Sequence, residues 1–126
     1  MIKAITILTT LLILASVSFA AEFACPTGLT LVTGNAPHPW FDDIAVPSKW
    51  CIDKDGKKNG PWWGWDPKTN TLLFQVNTSN GKPNGRYQMF YTNGKIAEEG
   101  EMMQGNKTGL WIMYNPDGSI RTKNKY

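Results

Sequence analysis

The sequence predicts an all-β fold: stacked antiparallel β-hairpins forming one elongated, twisted sheet, headed by a small disulfide-linked N-terminal cap. Three observations predict it. A Gly-x-x-x-Gly motif begins at Gly56, Gly81 and Gly105, in steps of 25 and 24 residues, and a fixed period in that range marks a repeat architecture. After each second glycine (Gly60, Gly85, Gly109) an aromatic follows two residues on and another three later: Trp62 and Trp65, Tyr87 and Phe90, Trp111 and Tyr114. Finally, 12 glycines and 8 prolines punctuate the 126 residues too often for helices of ordinary length.

The elements read in order as follows. Residues 1–20 have the form of a secretory signal peptide. Lys3 is the positive start, Ile5 to Ala15 the apolar stretch, and Ser18-Phe19-Ala20 offers small residues at −3 and −1 of a cleavage site after Ala20. An N-terminal membrane anchor is the alternative, but the apolar run falls short of the ~20 residues that span a bilayer. Residues 21–55 form the lead-in. Cys25-Pro26-Thr27-Gly28 reads as a turn, Leu29 to Thr33 as a short strand, and Gly34 to Trp40 as a loop, since Pro37 and Pro39 remove ladder donors. Lys49 to Ile52 is strand-like again, and Asp53 to Gly56 is a turn.

Residues 56–126 hold three repeats, at about 56–80, 81–104 and 105–126. In each, a Gly-x-x-x-Gly loop leads to an aromatic strand, a turn and a return strand opening at Leu72, Ile96 or Ile120. The turns contain Pro67 to Asn70, Asn93-Gly94, and Pro116-Asp117-Gly118; Asn-Gly is the strongest short hairpin signal, because both residues tolerate positive φ. Ile96 to Met103 has helical composition, but Gly100 and the repeat register argue for strand. Pleating puts Trp62, Tyr87 and Trp111 on one face and Trp65, Phe90 and Tyr114 on the other.

Cys25 and Cys51 lie in the exported part, where an even pair most simply makes one disulfide. Lipidation of Cys25 is the weaker alternative: Glu22-Phe23-Ala24 is not a small apolar lipobox, and Cys51 would be left unpaired. The formal charge of +3 falls to +2 without Lys3. No dense basic stripe suggests nucleic acid, and the tail Arg121, Lys123, Lys125 reads as a solvated terminus.

No catalytic set assembles. His38 is the only histidine. Beside Asp42 and Asp43 it is a conceivable ligand, yet without a second histidine or free cysteine it reads as a surface-loop residue, and no metal site is expected. Asp53-x-Asp55-Gly56 starts like a calcium loop but lacks the later ligands. Glu98, Glu99 and Glu101 lack a partner acid across a cleft and read as a protected edge. Phosphate-loop, dinucleotide and serine-hydrolase motifs are absent, so no cofactor is expected. Asn77 and Asn106 match glycosylation sequons, a pattern that matters only in a eukaryotic secretory host.

The Gly-Lys-x-x-Gly-x-Tyr/Trp-x-x-Phe/Tyr-Tyr-x-Asn-Gly-Lys-Ile grammar resembles the bacterial variant of the MORN repeat, most closely over 81–118 and well over 56–80. The cysteine-bounded start also looks like the lead-in of secreted proteins of this kind. The resemblance implies a scaffold or binding role with protein or lipid contact, no catalytic residues, and, for bacterial members, an antitoxin-type label. The expected function is an exported, non-catalytic protein-binding or scaffold module in the periplasm or medium. The alternatives are an exported neutraliser of a cognate toxin and a cell-wall or carbohydrate-binding module, with a protein, polysaccharide or membrane surface as partner. The candidate binding surface is Trp62, Trp63, Trp65 and Tyr91. Trp62 and Trp65 are also ladder positions of the repeat, whereas the equivalents of Trp63 are Gln88 and Ile112, so Trp63 answers to no repeat requirement.

Overall fold

A computed structural model describes residues 22–39 and 41–126, the side chain of Asp42 excepted. The export segment read over 1–20 lies outside the described residues, as does Trp40. The strands are β1 (Thr30–His38), β2 (Phe41–Ile52), β3 (Lys58–Trp65), β4 (Leu72–Ser79), β5 (Lys82–Phe90), β6 (Ile96–Met103), β7 (Asn106–Tyr114) and β8 (Ile120–Lys125). They form one open eight-stranded sheet in chain order, every pairing antiparallel. Among the described residues there is no helix. Each strand pairs with its sequence neighbours, as stacked hairpins require.

Two parts of the repeat grammar fold differently from expectation. The Gly-x-x-x-Gly stretch is strand rather than loop. Its first glycine closes a two-residue turn, Asn80-Gly81 or Gln104-Gly105, with φ of 52° and 83° in one and 49° and 87° in the other. That is the hairpin turn whose twist matches the strands. Its second glycine lies inside β5 or β7 at positive φ, where a side chain is strained. Conversely, Asn93-Gly94 is not a two-residue turn: only Gly94 has positive φ. Asn93 works through its side chain. Its Oδ1 accepts from Lys95 N at 2.9 Å, and its Nδ2 donates to Pro116 O of the next repeat at 2.9 Å.

The lead-in also departs from expectation. It caps the first repeat as the first hairpin of the same sheet, and where a loop is expected from Gly34, β1 runs through to His38. Proline is tolerated because β1 is an edge strand and Pro37 is exposed. Pro47 stands where β2 has outrun β3, whose pairing with β2 starts at Ser48. The expected disulfide is present: Cys25 joins Cys51 of β2 with Cα atoms 5.7 Å apart. It holds the arm 22–29 across β2 and β3, where Pro26 and Leu29 close over Gly60.

One face of the sheet forms the core. Ala36, Val46, Trp62, Phe74, Val76, Tyr87, Met102 and Trp111 are buried there in one cluster. Burial of each large side chain is worth about 1.5–3 kcal/mol, so this cluster is the main source of stability. A single sheet has no second layer to cover such rings, and two devices replace it. The first is a pair of mid-strand glycines: the Phe74 ring lies directly over Gly64, and the Trp111 indole over Gly100. The second is a lysine lid. Lys58 Nζ stands 3.4 Å over the Trp62 ring and Lys107 Nζ 4.2 Å over Trp111. The two lysines hold equivalent repeat positions, two residues after Gly56 and Gly105, and their stems cover ring surface while the cation faces the π-cloud. Lys107 also pairs with Glu98 at 2.6 Å. Burial holds the Lys58 ammonium below the usual lysine range.

His38 belongs to this core and not to a surface loop. It is 3% exposed, with its ring 4.9 Å from those of Phe41 and Phe74. The tip of the first hairpin curls over the face to make the contact, since three strand spacings would set β1 about 14 Å from β4 in a flat sheet. Burial pushes the imidazole pKa down from 6.5 to about 4. On acidification the unfolded chain therefore takes up the proton first. Stability is full above about pH 6.5 and declines as pH falls toward 4, by about 2 kcal/mol between pH 7 and pH 5. Urea midpoints at the two pH values check this, and His38→Phe should flatten the difference.

Candidate functional site

The opposite face is where the candidate residues separate. Trp62 is 6% exposed and belongs to the core, so the three tryptophans do not make one patch; pleating sends Trp62 away from its neighbours. Trp63 and Trp65 remain together and half-buried on the second face, ring centroids 6.3 Å apart at 53°. Phe23 of the disulfide-held arm meets Trp63 edge-on at 5.2 Å. Lys49 Nζ lies 5.7 Å from the Trp65 ring centroid, at the outer limit of a cation–π contact.

Tyr91 is employed elsewhere. Its hydroxyl donates to the Tyr114 carbonyl at 2.7 Å and staples the second repeat to the third. With the Asn93 bond and the bond from Lys95 Nζ to Asp117 O at 3.0 Å, it locks the turn ends together. Tyr91 therefore belongs with the repeat-structural residues and not with the tryptophans.

What accompanies Trp63 is a polar row straight across the sheet. The register places Thr33, Lys49, Trp63, Gln75, Gln88, Glu99, Ile112 and Lys123 opposite one another on successive strands. The middle of the row is hydrogen-bonded into a ladder. Gln75 Nε2 donates to Gln88 Oε1, and Gln88 Nε2 donates to Glu99 Oε2 at 3.0 Å. Glu99 also accepts from Arg86 Nη2, and from Tyr114 Oη at 2.7 Å. Burial alone would raise the Glu99 pKa, but the bonds from Tyr114 and Gln88 and the Arg86 charge outweigh it and hold the carboxyl below its usual range. The same bond raises the Tyr114 hydroxyl above its ordinary value. Glu99 is thus a fixed anion accepting three hydrogen bonds, suited to ordering the amides rather than to donating a proton.

Two depressions flank the tryptophans. The larger, of about 500 Å³, is lined by Thr33, Asn35, Pro47, Lys49, Trp65 and Asn70 among others. The smaller, of about 160 Å³, lies among Pro61, Trp63, Gln75, Asn77, Arg86 and Gln88. Chemically the face offers flat aromatic walls, amide and hydroxyl groups that both donate and accept, and few charges. Among the described residues, no group of three or more His, Cys, Asp or Glu side chains gathers that could hold a metal ion. No helix among them is long and apolar enough to cross a membrane.

Sequence reasoning missed Thr33, Asn35, Lys49 and Asn70. The first three come from a hairpin whose pairing carries no repeat signature, and Asn70 from the one repeat turn with neither Asn-Gly nor Asp-Gly. Gln88 was within reach, because it occupies the repeat position of Trp63. Comparison with protein-family models, with curated proteins and with solved structures finds no match.

Proposed function

We propose that this protein is an exported, non-catalytic binding module whose ligand docks on the face carrying Trp63 and Trp65. The observation that carries the reading is the placement of these rings. The fold already buries its own aromatics on the opposite face, so two further tryptophans beside a polar row and two depressions are not needed for the core. The period, the aromatic spacing and the stapled turns support a MORN-like repeat as the scaffold. Export is supported by the disulfide, which persists in oxidising compartments, together with the apolar start of the sequence. The toxin-neutraliser reading would use the same face, with a toxin as ligand.

The test is comparative capture. Immobilised protein is exposed to envelope extract, both its proteins and its polysaccharides, alongside the Trp63→Ala/Trp65→Ala variant. The expected result is at least a tenfold loss of the retained species, with the near-UV spectrum of the core unchanged. Equal retention by both forms overturns the proposal.

A further inference from the structure

We infer that the larger depression is a subsite for an acidic saccharide, which rests on the reading of this face as a binding face. The volume, about 500 Å³, falls within the roughly 300–1,000 Å³ of small-ligand sites. Three features of the lining select the ligand class. Trp65 gives a flat apolar wall, and a pyranose ring presents a flat face of C–H groups to such a wall. Thr33, Asn35 and Asn70 give neutral groups that donate and accept, matching the hydroxyl and acetamido edge of a sugar. Among the described residues of the lining Lys49 is the only charged one, and the charge it can neutralise is negative. Lys49 Nζ stands over the Trp65 ring at 5.7 Å from its centroid, so a sugar stacking on that indole face displaces the ammonium, and the flexible four-carbon stem lets it pair with a carboxylate at the edge of the sugar ring.

The neighbouring depression repeats the pattern with Trp63 as its wall and Gln75, Asn77 and Gln88 as its amides. The two indoles are 6.3 Å apart, so successive sugars of one chain can rest on both. Gln75 and Gln88 are held in place by the ladder to Glu99, which lowers the entropic cost of ordering them. A nucleic acid fits less well, since the site lacks a basic track for phosphates. A lipid tail fits less well, since it would leave the polar groups of Thr33, Asn35 and Asn70 without partners.

The experiment titrates the full mature chain with a hyaluronan tetrasaccharide, in which glucuronate alternates with N-acetylglucosamine, and with neutral chitotetraose. Tryptophan fluorescence and calorimetry are the readouts. Expected is saturable binding of hyaluronan at least tenfold tighter than of chitotetraose at low salt, with the preference shrinking as salt rises. Lys49→Gln should remove the preference while leaving the chitotetraose affinity, and Trp65→Ala should weaken both at least tenfold with the fold intact. Equal binding of the two sugars overturns the acidic assignment, and binding that survives Trp65→Ala overturns the site. If neither sugar binds while the double tryptophan variant still abolishes envelope capture, the saccharide inference fails and the binding-module reading stands. If that capture is also unchanged, both fail.

Discussion

Gly100→Ala is expected to destabilise the protein by about 3 kcal/mol, and Gly100→Val by more. A Cβ built on Gly100 would fall well inside 3.0 Å of the Trp111 indole, closer than real Cβ contacts come. Trp111 cannot yield cheaply. It is 1% exposed and stacked on Tyr87 at 5.5 Å. Its Nε1 donates to the carbonyls of Glu101 and Thr108 at 3.1 and 3.2 Å. A displaced indole would lose both bonds, leaving partners that cost about 1–3 kcal/mol each when buried unpaired. Urea unfolding gives the number. A double-mutant cycle with Trp111→Leu gives the cause, because in that background the alanine should be nearly neutral. A Gly100→Ala change within 0.5 kcal/mol of wild type would refute the ring-over-glycine packing.

Removing the Cys25–Cys51 bond, by Cys25→Ser/Cys51→Ser or by reduction, is expected to lower stability by about 3.5 kcal/mol. The closed loop spans 26 residues, and the chain-entropy relation assigns a loop of that length about this value. The structural consequence is specific. Freed from β2, the arm 22–29 would lift Phe23 off Trp63 and uncover Gly60. The Trp63 fluorescence should therefore change under conditions where the core remains folded. An unchanged denaturation midpoint together with unchanged Trp63 emission would contradict the clasp.

The fold class was legible because the repeat states it in several ways at once. Period, aromatic spacing and turn residues agree, and such agreement is what specifies a structure. The division of Trp62, Tyr87 and Trp111 from Trp65, Phe90 and Tyr114 followed from pleating alone. The lead-in was less legible. Pro37 looks like a loop marker until β1 is known to be an edge strand, whereas Pro39 does stand in the turn beyond it. Gly100 argues against a helix in the sequence, but only the structure shows the Trp111 ring over it and the Phe74 ring over Gly64.

The candidate site was half legible. Trp63 stood out as an aromatic where the repeat requires none, and Trp65 as a ladder residue. Trp62 was grouped with them by adjacency in sequence, although adjacent strand residues point to opposite faces. Tyr91 looked available because its bond to the next repeat depends on stacking that one unit does not display. Asn35 and Lys49 reach the site through the pairing of β1, β2 and β3, for which no local signal exists, and Asn70 through the turn that follows Trp65.

One face of this sheet is a buried core, and the opposite face, carrying Trp63 and Trp65, is the one proposed to take a ligand. Hydrogen exchange of the indole N–H protons, followed by NMR, tests this division of faces most directly. Slow exchange is expected at Trp62 and Trp111, which are buried on the core face, and fast exchange at Trp63 and Trp65 on the open face. Equal protection of all four indoles, or protection of Trp63 and Trp65 in preference to the other two, would contradict the account.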